Sequence, residues 1–324
     1  MATPSWIDVM MEYYNYSDYG INFTLEEYET VCKANQVIPE WILVIIYMIL
    51  CLLNVIGNGI VIGILFRYFK IMQSMDILMV SLCLASLVFM IGLGIDVLAL
   101  SWVVEIQTIF CKIQFFMVAA SSLWIAYITA TIAILRTLLI MLPTRTWIKH
   151  RSVGICLLII VLIFGLICGT IASMYADAVV SPTEIACYLV EQRMLLLSIN
   201  SVIVFLIPLF IILVCYSLSC FRLCKRKFRT SRAYSAFFLA ITLFILLCAP
   251  RHCVRLIDTV MRLGGFTETC LLRQILDTLF VVADCMHMLY CALVSLVYAI
   301  TGSLFRIRLG QCISGVWRRS SASE

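Results

Sequence analysis

Residues 41–66 read WILVIIYMILCLLNVIGNGIVIGILF, a run of 26 residues without Asp, Glu, Lys or Arg. An α-helix needs about 20 predominantly apolar residues to cross the hydrocarbon core of a bilayer. Six further charge-free runs of comparable length follow, at residues 77–95, 113–135, 152–176, 194–221, 233–250 and 285–305. The sequence therefore predicts an all-α membrane protein built as a bundle of seven transmembrane helices.

The overall composition favours the same fold class. Of the 324 residues, 64% are hydrophobic and 13% are charged, whereas a soluble domain has about 45–50% apolar and about 25% charged residues. This composition disfavours a soluble enzyme, a nucleic-acid-binding domain and a disulfide-rich secreted domain. The sequence also lacks the HExxH and P-loop motifs, so we expect no catalytic residues, no metal site and no cofactor.

The distribution of charge predicts which side of the membrane each loop faces. Lys and Arg in short loops remain on the cytoplasmic side. Sixteen of the 23 basic residues lie at 67–70, 136–151, 222–232 and 306–319, whereas only Asp76 of the acidic residues before the carboxyl terminus lies on that side. Seven crossings then place the amino terminus outside the cell, which predicts a multi-pass protein of the plasma membrane.

Residues 1–40 form a predicted extracellular tail. Its sequons Asn15-Tyr16-Ser17 and Asn22-Phe23-Thr24 are candidate glycosylation sites, which require an extracellular location. Between residues 8 and 33, six acidic residues stand against Lys33 alone, and tyrosines lie among them at Tyr13, Tyr14, Tyr16, Tyr19 and Tyr28. One interpretation is a solvated disordered tail. The other is a docking strip for a basic protein, whose encounter with the tail would be accelerated by long-range attraction.

Charged residues also occur near the outer ends of three predicted spans. Arg251, Arg255, Asp258 and Arg262 follow one another at steps of four, three and four residues, which places them on one helical face. Asp277 and Asp284 lie in span seven, and Asp96 ends span two. Charges that face lipid are costly, so these side chains are expected to face a water-filled vestibule or to pair with one another.

The sequence contains 16 cysteines, and most lie inside predicted spans, where a thiol packs as a small apolar group. The outer side has four: Cys32, Cys111, Cys187 and Cys270. Four cysteines in an oxidising compartment allow three pairings.

Characteristic residues in the spans resemble those of rhodopsin-like G-protein-coupled receptors. They are Gly57 and Asn58 in span one, Cys111 and Arg136 in span three, Pro208 and Tyr216 in span five, Phe244 and Pro250 in span six, and Tyr298 in span seven. Trp102, the additional outer cysteines Cys32 and Cys270, and the acidic tyrosine-rich tail resemble features of chemokine receptors of the CXC group. Residues 134–137 (ILRT), 144–149 (TRTWIK) and 302–306 (GSLFR) resemble chemokine-receptor-like proteins encoded by gammaherpesviruses.

The resemblance implies a viral receptor in the plasma membrane of the host cell, with a chemokine and a heterotrimeric G protein as partners. It also implies the disulfides Cys111–Cys187 and Cys32–Cys270. Asp284 stands where chemokine receptors carry an acid that can meet the amino terminus of the ligand. The candidate ligand-binding residues are the five tail tyrosines together with Asp96, Trp102, Arg251, Arg255, Asp258, Asp277 and Asp284.

This chain departs from the family where the receptor switches between resting and active states. The family's Asp-Arg-Tyr reads Leu135-Arg136-Thr137. In the family the acid can pair with the neighbouring arginine at rest, but a leucine cannot accept a hydrogen bond from a guanidinium. Such a charge-assisted bond is worth about 1.5–3 kcal/mol, and its absence from the resting state shifts the equilibrium towards the active state. We therefore predict activity without ligand.

Further substitutions fall in the same switch. Ser86 replaces an Asp in span two, Val294-Ser295 replaces the Asn-Pro ahead of Tyr298, and Cys248 replaces the Trp two residues before Pro250. The loss of the proline restores a backbone donor in span seven. The predicted switch residues are Ser86, Leu135, Arg136, Thr137, Tyr216, Phe244, Cys248, Pro250, Val294, Ser295 and Tyr298. The alternative interpretation is drift in a chain that no longer couples to a G protein.

The predicted organisation has three parts: the extracellular tail at 1–40, the bundle at 41–301, and a membrane-surface helix with a short cytoplasmic tail at 302–324. The last part is predicted because apolar and basic residues alternate there, as in amphipathic helices at membranes. Two other function classes stay open, a decoy that captures chemokine without signalling and a transporter or channel. Internal repeats, which transporters commonly carry, are not evident in this sequence.

Overall fold

The computed structural model describes residues 39–99, 104–174, 176–180, 185–189, 194–225, 231–262, 269–301, 305, 307 and 309–311. Its long helices are α1 (Glu40–Arg67), α2 (Ser74–Ala99), α3 (Val104–Met141), α4 (Arg151–Met174), α5 (Met194–Lys225), α6 (Ser231–Arg262) and α7 (Cys270–Thr301). Short 3₁₀ helices occupy Phe69–Ile71 and Thr146–Lys149. The predicted seven-helix bundle is confirmed.

Six of the described helices are long and apolar enough to cross a membrane. The helix that does not meet this criterion within the described residues is α6, whose outer half carries Arg251, Arg255 and Asp258. It nevertheless packs between α5 and α7. Large apolar side chains such as Leu52 on α1 and Ile160 on α4 are exposed, as expected of a surface that faces lipid.

The central helix is α3, which packs against α2, α4 and α5, while α1 packs against α2 and α7. A two-stranded antiparallel hairpin, which the sequence did not predict, connects α4 to α5 through β1 (Ala176–Val180) and β2 (Ile185–Leu189). Strand β1 lies against α3. The helices also extend beyond the charge-free runs, so that α3 continues past Arg136 to Met141.

Glycines allow α4 to approach α3 closely. The indole Nε1 of Trp124 on α3 donates a hydrogen bond to the carbonyl oxygen of Leu162 on α4, at 3.2 Å. A Cβ atom added to Gly165 would overlap this indole, and one added to Gly169 would lie 2.8 Å from the Cβ of Ala120. Small residues at a contact between transmembrane helices have this effect because they let the backbones come together.

We expect Gly165→Ala to destabilise the fold by about 2 kcal/mol, because an added methyl group in a well-packed interior forces neighbouring atoms to shift. Gly59→Ala on α1 is the matched control, since a Cβ there would have no atom within 4 Å. The measurement is thermal unfolding of the two variants and the parent chain in the same detergent. Equal unfolding temperatures for all three would contradict the tight α3–α4 contact.

Candidate functional site

A buried ion pair connects α6 to α7 in the outer half of the bundle. The Nε atom of Arg251 lies 2.6 Å from Oδ1 of Asp284, and the two side chains are 3% and 25% exposed. The Nη1 atom of Arg251 lies 3.4 Å from Oγ of Ser122 on α3. Its guanidinium carbon is 5.0 Å from the centroid of the Phe89 ring on α2, a cation–π distance. One guanidinium therefore joins four helices.

His287 lies three residues after Asp284, on the same side of α7. The imidazole is buried, and neither ring nitrogen has a hydrogen-bond partner within the described part of the chain. Its ring centroid lies 4.7 Å from that of Phe89 and 6.1 Å from that of Tyr290. The floor below the ion pair is therefore aromatic.

A stack of aromatic rings continues from this floor across α5, α6 and α7. The Phe244 ring lies 5.6 Å from Phe205 in a stacked arrangement and 5.8 Å from Tyr290 in an edge-on arrangement. The hydroxyl oxygen of Tyr290 is 3.2 Å from Oγ1 of Thr129 on α3. Cys248, one turn above Phe244 on α6, is also buried. Phe244 thus contributes an aromatic contact of α6 to this stack, and His252, two turns above it, also stacks on Phe205 at 5.1 Å.

The middle of the bundle is polar but lacks a carboxylate where the family has one. The Ser86 hydroxyl donates to the carbonyl oxygen of Leu82 on its own helix, at 2.9 Å. Val294 is buried on α7, and α7 continues through it to Thr301 without interruption. Nδ2 of Asn58 on α1 donates to the carbonyl oxygen of Cys291 on α7, at 3.3 Å.

The carboxyl-terminal end of α3 carries the predicted switch motif. Leu135 is 2% exposed and belongs to the main apolar core. The Thr137 hydroxyl lies 3.1 Å from the carbonyl oxygen of Cys215 and 3.0 Å from the hydroxyl of Ser219, both on α5. Arg136, between Leu135 and Thr137 in the sequence, is half-buried. Leu135 therefore packs as a core residue, whereas Thr137 forms a polar bridge between α3 and α5.

The sequence matches the family described as 7 transmembrane receptor (rhodopsin family) over residues 57–298. The chain belongs to this receptor family. Receptors of this family are not enzymes, in agreement with the expectation from the sequence. The family match and the bundle together confirm a rhodopsin-like fold for the receptor.

The receptor is also similar to viral and mammalian proteins along most of its length. It is 31% identical over 303 residues to the G-protein coupled receptor homolog ECRF3 of Saimiriine herpesvirus 2 (strain 11), with 91% of this chain and 94% of the relative covered. It is 29% identical over 301 residues to the viral G-protein coupled receptor of Human herpesvirus 8 type P (isolate GK18), with 90% and 87% covered. It is 26% identical over 293 residues to C-X-C chemokine receptor type 1 of Mus musculus, with 86% and 82% covered. The receptor is thus similar to viral chemokine-receptor-like proteins, as predicted.

Five of the predicted ligand-binding residues have described side chains. Arg251 and Asp284 are brought together, Arg255 and Asp258 are half-buried further out on α6, and Asp277 is exposed two turns before Asp284 on α7. The side chain of Asp96, the tail tyrosines at 13, 14, 16, 19 and 28, and position 102 lie outside the described residues. For Arg251 the expectation of pairing with another charge holds, because its guanidinium is buried against Asp284.

The predicted switch residues separate into two levels of the bundle. The lower level has Leu135, Arg136, Thr137 and Tyr216, and Tyr298 belongs to α7 there, although its side chain is not described. The middle level has Ser86, Phe244, Cys248, Pro250, Val294 and Ser295, on α2, α6 and α7. Sequence analysis missed four core residues that lie between the middle level and the ion pair: Ser122, Phe89, His287 and Tyr290. The spacing of His287 from Asp284 is the signal that could have indicated one of them.

Cys111 is buried and takes part in a disulfide. The backbone of Cys187 pairs with Ala178 in the hairpin, and strand β1 of that hairpin lies against α3. This placement is compatible with the Cys111–Cys187 pair, which stays a prediction because the Cys187 side chain is not described. The Cys32–Cys270 pair and the sequons at Asn15 and Asn22 also fall outside the described side chains.

The described residues that follow α7 are helical at Phe305, Ile307 and 309–311. Phe305 is buried, and Ile307 is exposed. The hydroxyl of Tyr68, after α1, lies 3.0 Å from Oε1 of Gln311. This contact links the turn after α1 to the segment after α7, while the predicted membrane-surface helix over the remainder of 302–324 stays a prediction.

Proposed function

We propose that this receptor activates heterotrimeric G proteins without a bound ligand. The observation that supports the proposal most is the burial of Leu135 in the apolar core beside Arg136. An aspartate at this position would supply a charged acceptor to the guanidinium, but an alkyl side chain supplies none. The resting state therefore lacks one charge-assisted interaction, while Arg136 is retained for the active state.

We also propose that chemokines of the CXC class bind at the extracellular face. The similarity to C-X-C chemokine receptor type 1 of Mus musculus and type 2 of Homo sapiens supports this class. The acidic tail supplies long-range attraction for a basic partner, and the partly exposed Asp284 supplies a carboxylate at the outer end of the bundle. The charge distribution of the loops supports an extracellular amino terminus and a host-cell plasma membrane location.

The test of coupling is nucleotide exchange on purified heterotrimers, with the purified receptor in nanodiscs and no chemokine present. We expect the parent receptor to accelerate exchange and Arg136→Ala to reduce exchange to the rate measured without receptor, because the arginine supplies the contact that the active state needs. Direct binding of a chemokine panel to the same two preparations is the control for folding, since Arg136 lies on the cytoplasmic side.

Equal exchange by the parent receptor and Arg136→Ala would contradict signalling through this arginine. Chemokine binding without any exchange would identify a decoy that captures chemokine, the second function class left open by the sequence. A receptor that neither binds chemokine nor accelerates nucleotide exchange would contradict both parts of the proposal. The three outcomes are therefore distinguishable in one set of preparations.

A further inference from the structure

The turn after α1 and the loop before α4 meet at the cytoplasmic end of the bundle. The guanidinium carbon of Arg151, at the start of α4, lies 4.4 Å from the centroid of the Phe69 ring. The 3₁₀ helix Thr146–Lys149 packs against α2, α3 and α4 beside this contact. We call the resulting patch the inner basic surface, and its members are Phe69, Lys70, Ile71, Trp147, Lys149 and Arg151.

Buried contacts beneath the inner basic surface fix its shape. Ile148 is buried, and its carbonyl oxygen accepts a hydrogen bond from the Ser74 hydroxyl at 2.7 Å. A Cβ atom added to Gly154 on α4 would lie 2.7 Å from the Cα of Ser74, so α2 and α4 are in close contact here. Burial of Ile148 leaves the neighbouring Trp147 and Lys149 on the outside.

Large apolar side chains are exposed on this surface beside its cations. Phe69 is 45% exposed, Ile71 is 62% exposed and Trp147 is 53% exposed. Tryptophan and other amphipathic aromatic groups are enriched where a membrane meets water. Apolar groups next to Lys and Arg are also typical of segments that insert shallowly between lipid headgroups. The composition of the patch therefore fits the headgroup region of a bilayer.

The charge of the surface is not neutralised by an exposed acid within the described residues. Lys70 and Lys149 are exposed. Asp76, the acidic residue of this side in the described part of the chain, is buried, and its Oδ2 accepts the backbone N–H of Gln73 at 3.0 Å. The patch therefore presents positive charge to the cytoplasmic leaflet, whose anionic lipids attract basic residues close to the membrane.

We propose that the inner basic surface binds the headgroup of an anionic phospholipid in the cytoplasmic leaflet. Lys70, Lys149 and Arg151 contact the headgroup phosphate and carboxylate oxygens. The side chains of Phe69 and Trp147 lie at the level where the headgroups meet the acyl chains. This site is separate from chemokine binding and from nucleotide exchange, and it does not depend on either.

The test is a titration of the purified receptor in detergent with phosphatidylserine or phosphatidylcholine, with bound lipids counted by native mass spectrometry. We expect tighter binding of phosphatidylserine. Each cation removed should weaken phosphatidylserine binding about fivefold, because a basic residue near an anionic membrane surface contributes on the order of 1 kcal/mol. Lys70→Gln combined with Lys149→Gln and Arg151→Gln should weaken it about a hundredfold.

Lys112→Gln is the matched control, because Lys112 is an exposed cation at the opposite end of α3. It should leave phosphatidylserine binding unchanged, whereas Lys70→Gln alone should weaken it. The single variant keeps the test valid if the triple variant does not fold. Equal phosphatidylserine binding by the parent receptor and Lys70→Gln would overturn the proposal. So would a triple variant that loses nucleotide exchange but keeps lipid binding, because the surface would then be a protein contact.

Discussion

Leu135→Asp should lower ligand-independent nucleotide exchange by about tenfold or more, because a charge-assisted hydrogen bond made only at rest is worth about 1.5–3 kcal/mol. Position 135 directly precedes Arg136 on α3. A carboxylate there would add an acceptor for the guanidinium in the resting state and would shift the population away from the active state. The measurement is exchange on a purified heterotrimer at matched receptor concentration.

Leu135→Asn is the control for the cost of placing a polar group in the core, since Leu135 is almost completely buried. A neutral amide is an acceptor of similar size, but a hydrogen bond from the guanidinium to a neutral oxygen contributes less than one to a carboxylate, where both partners are charged. We therefore expect a smaller fall in exchange than for the aspartate. If Leu135→Asp exchanges nucleotide as fast as the parent receptor while remaining folded, the missing acid does not cause the activity.

Asp284→Asn should destabilise the receptor by about 3 kcal/mol, because removal of one partner leaves the buried Arg251 charge uncompensated. The estimate is at the lower end of the range for buried pairs, since a quarter of the Asp284 side chain is exposed and solvent screens part of the interaction. The Ser122 hydroxyl and the Phe89 ring contact the guanidinium, but neither carries a compensating charge. Thermal unfolding in detergent measures the change.

The matched control replaces both partners, Arg251→Met with Asp284→Leu, because apolar side chains of similar volume commonly restore or exceed the stability of a buried ion pair. We expect the double variant to unfold near the temperature of the parent receptor. An unfolding temperature for Asp284→Asn equal to that of the parent would show that the ion pair does not stabilise the bundle. A lower unfolding temperature for Asp284→Asn than for the double variant would support the cost of leaving the Arg251 charge without its partner.

Much of the fold could be predicted because the bilayer restricts the sequence. A charge-free run such as 41–66 has few alternatives to a spanning helix, since backbone polar groups in lipid must be paired internally. The exact ends of the helices could not be predicted from these runs. Helix α3 extends beyond its charge-free run because Arg136 and the residues after it continue the helix to Met141. The hairpin was missed because short strands such as 185–189 carry no distinct periodicity.

The candidate site was predicted in its parts but not in its contacts. The charged residues Arg251 and Asp284 were identified from the sequence, and their ion pair joins positions 33 residues apart. Local spacing does not record which helices face each other, so the partner of each charge could not be predicted. His287 was missed because its spacing of three residues from Asp284 becomes informative only once the ion pair is known, and the ring lies below that pair against Phe89.

The hydroxyl bridge from Thr137 to Cys215 and Ser219 has a mechanical consequence. Sliding or separation of α3 and α5 at this end would break contacts between buried polar groups, which is costly without water to replace them. These two helices therefore resist separation at this end. Displacement of α6 or α7 at the same end would leave this bridge intact, because neither helix takes part in it.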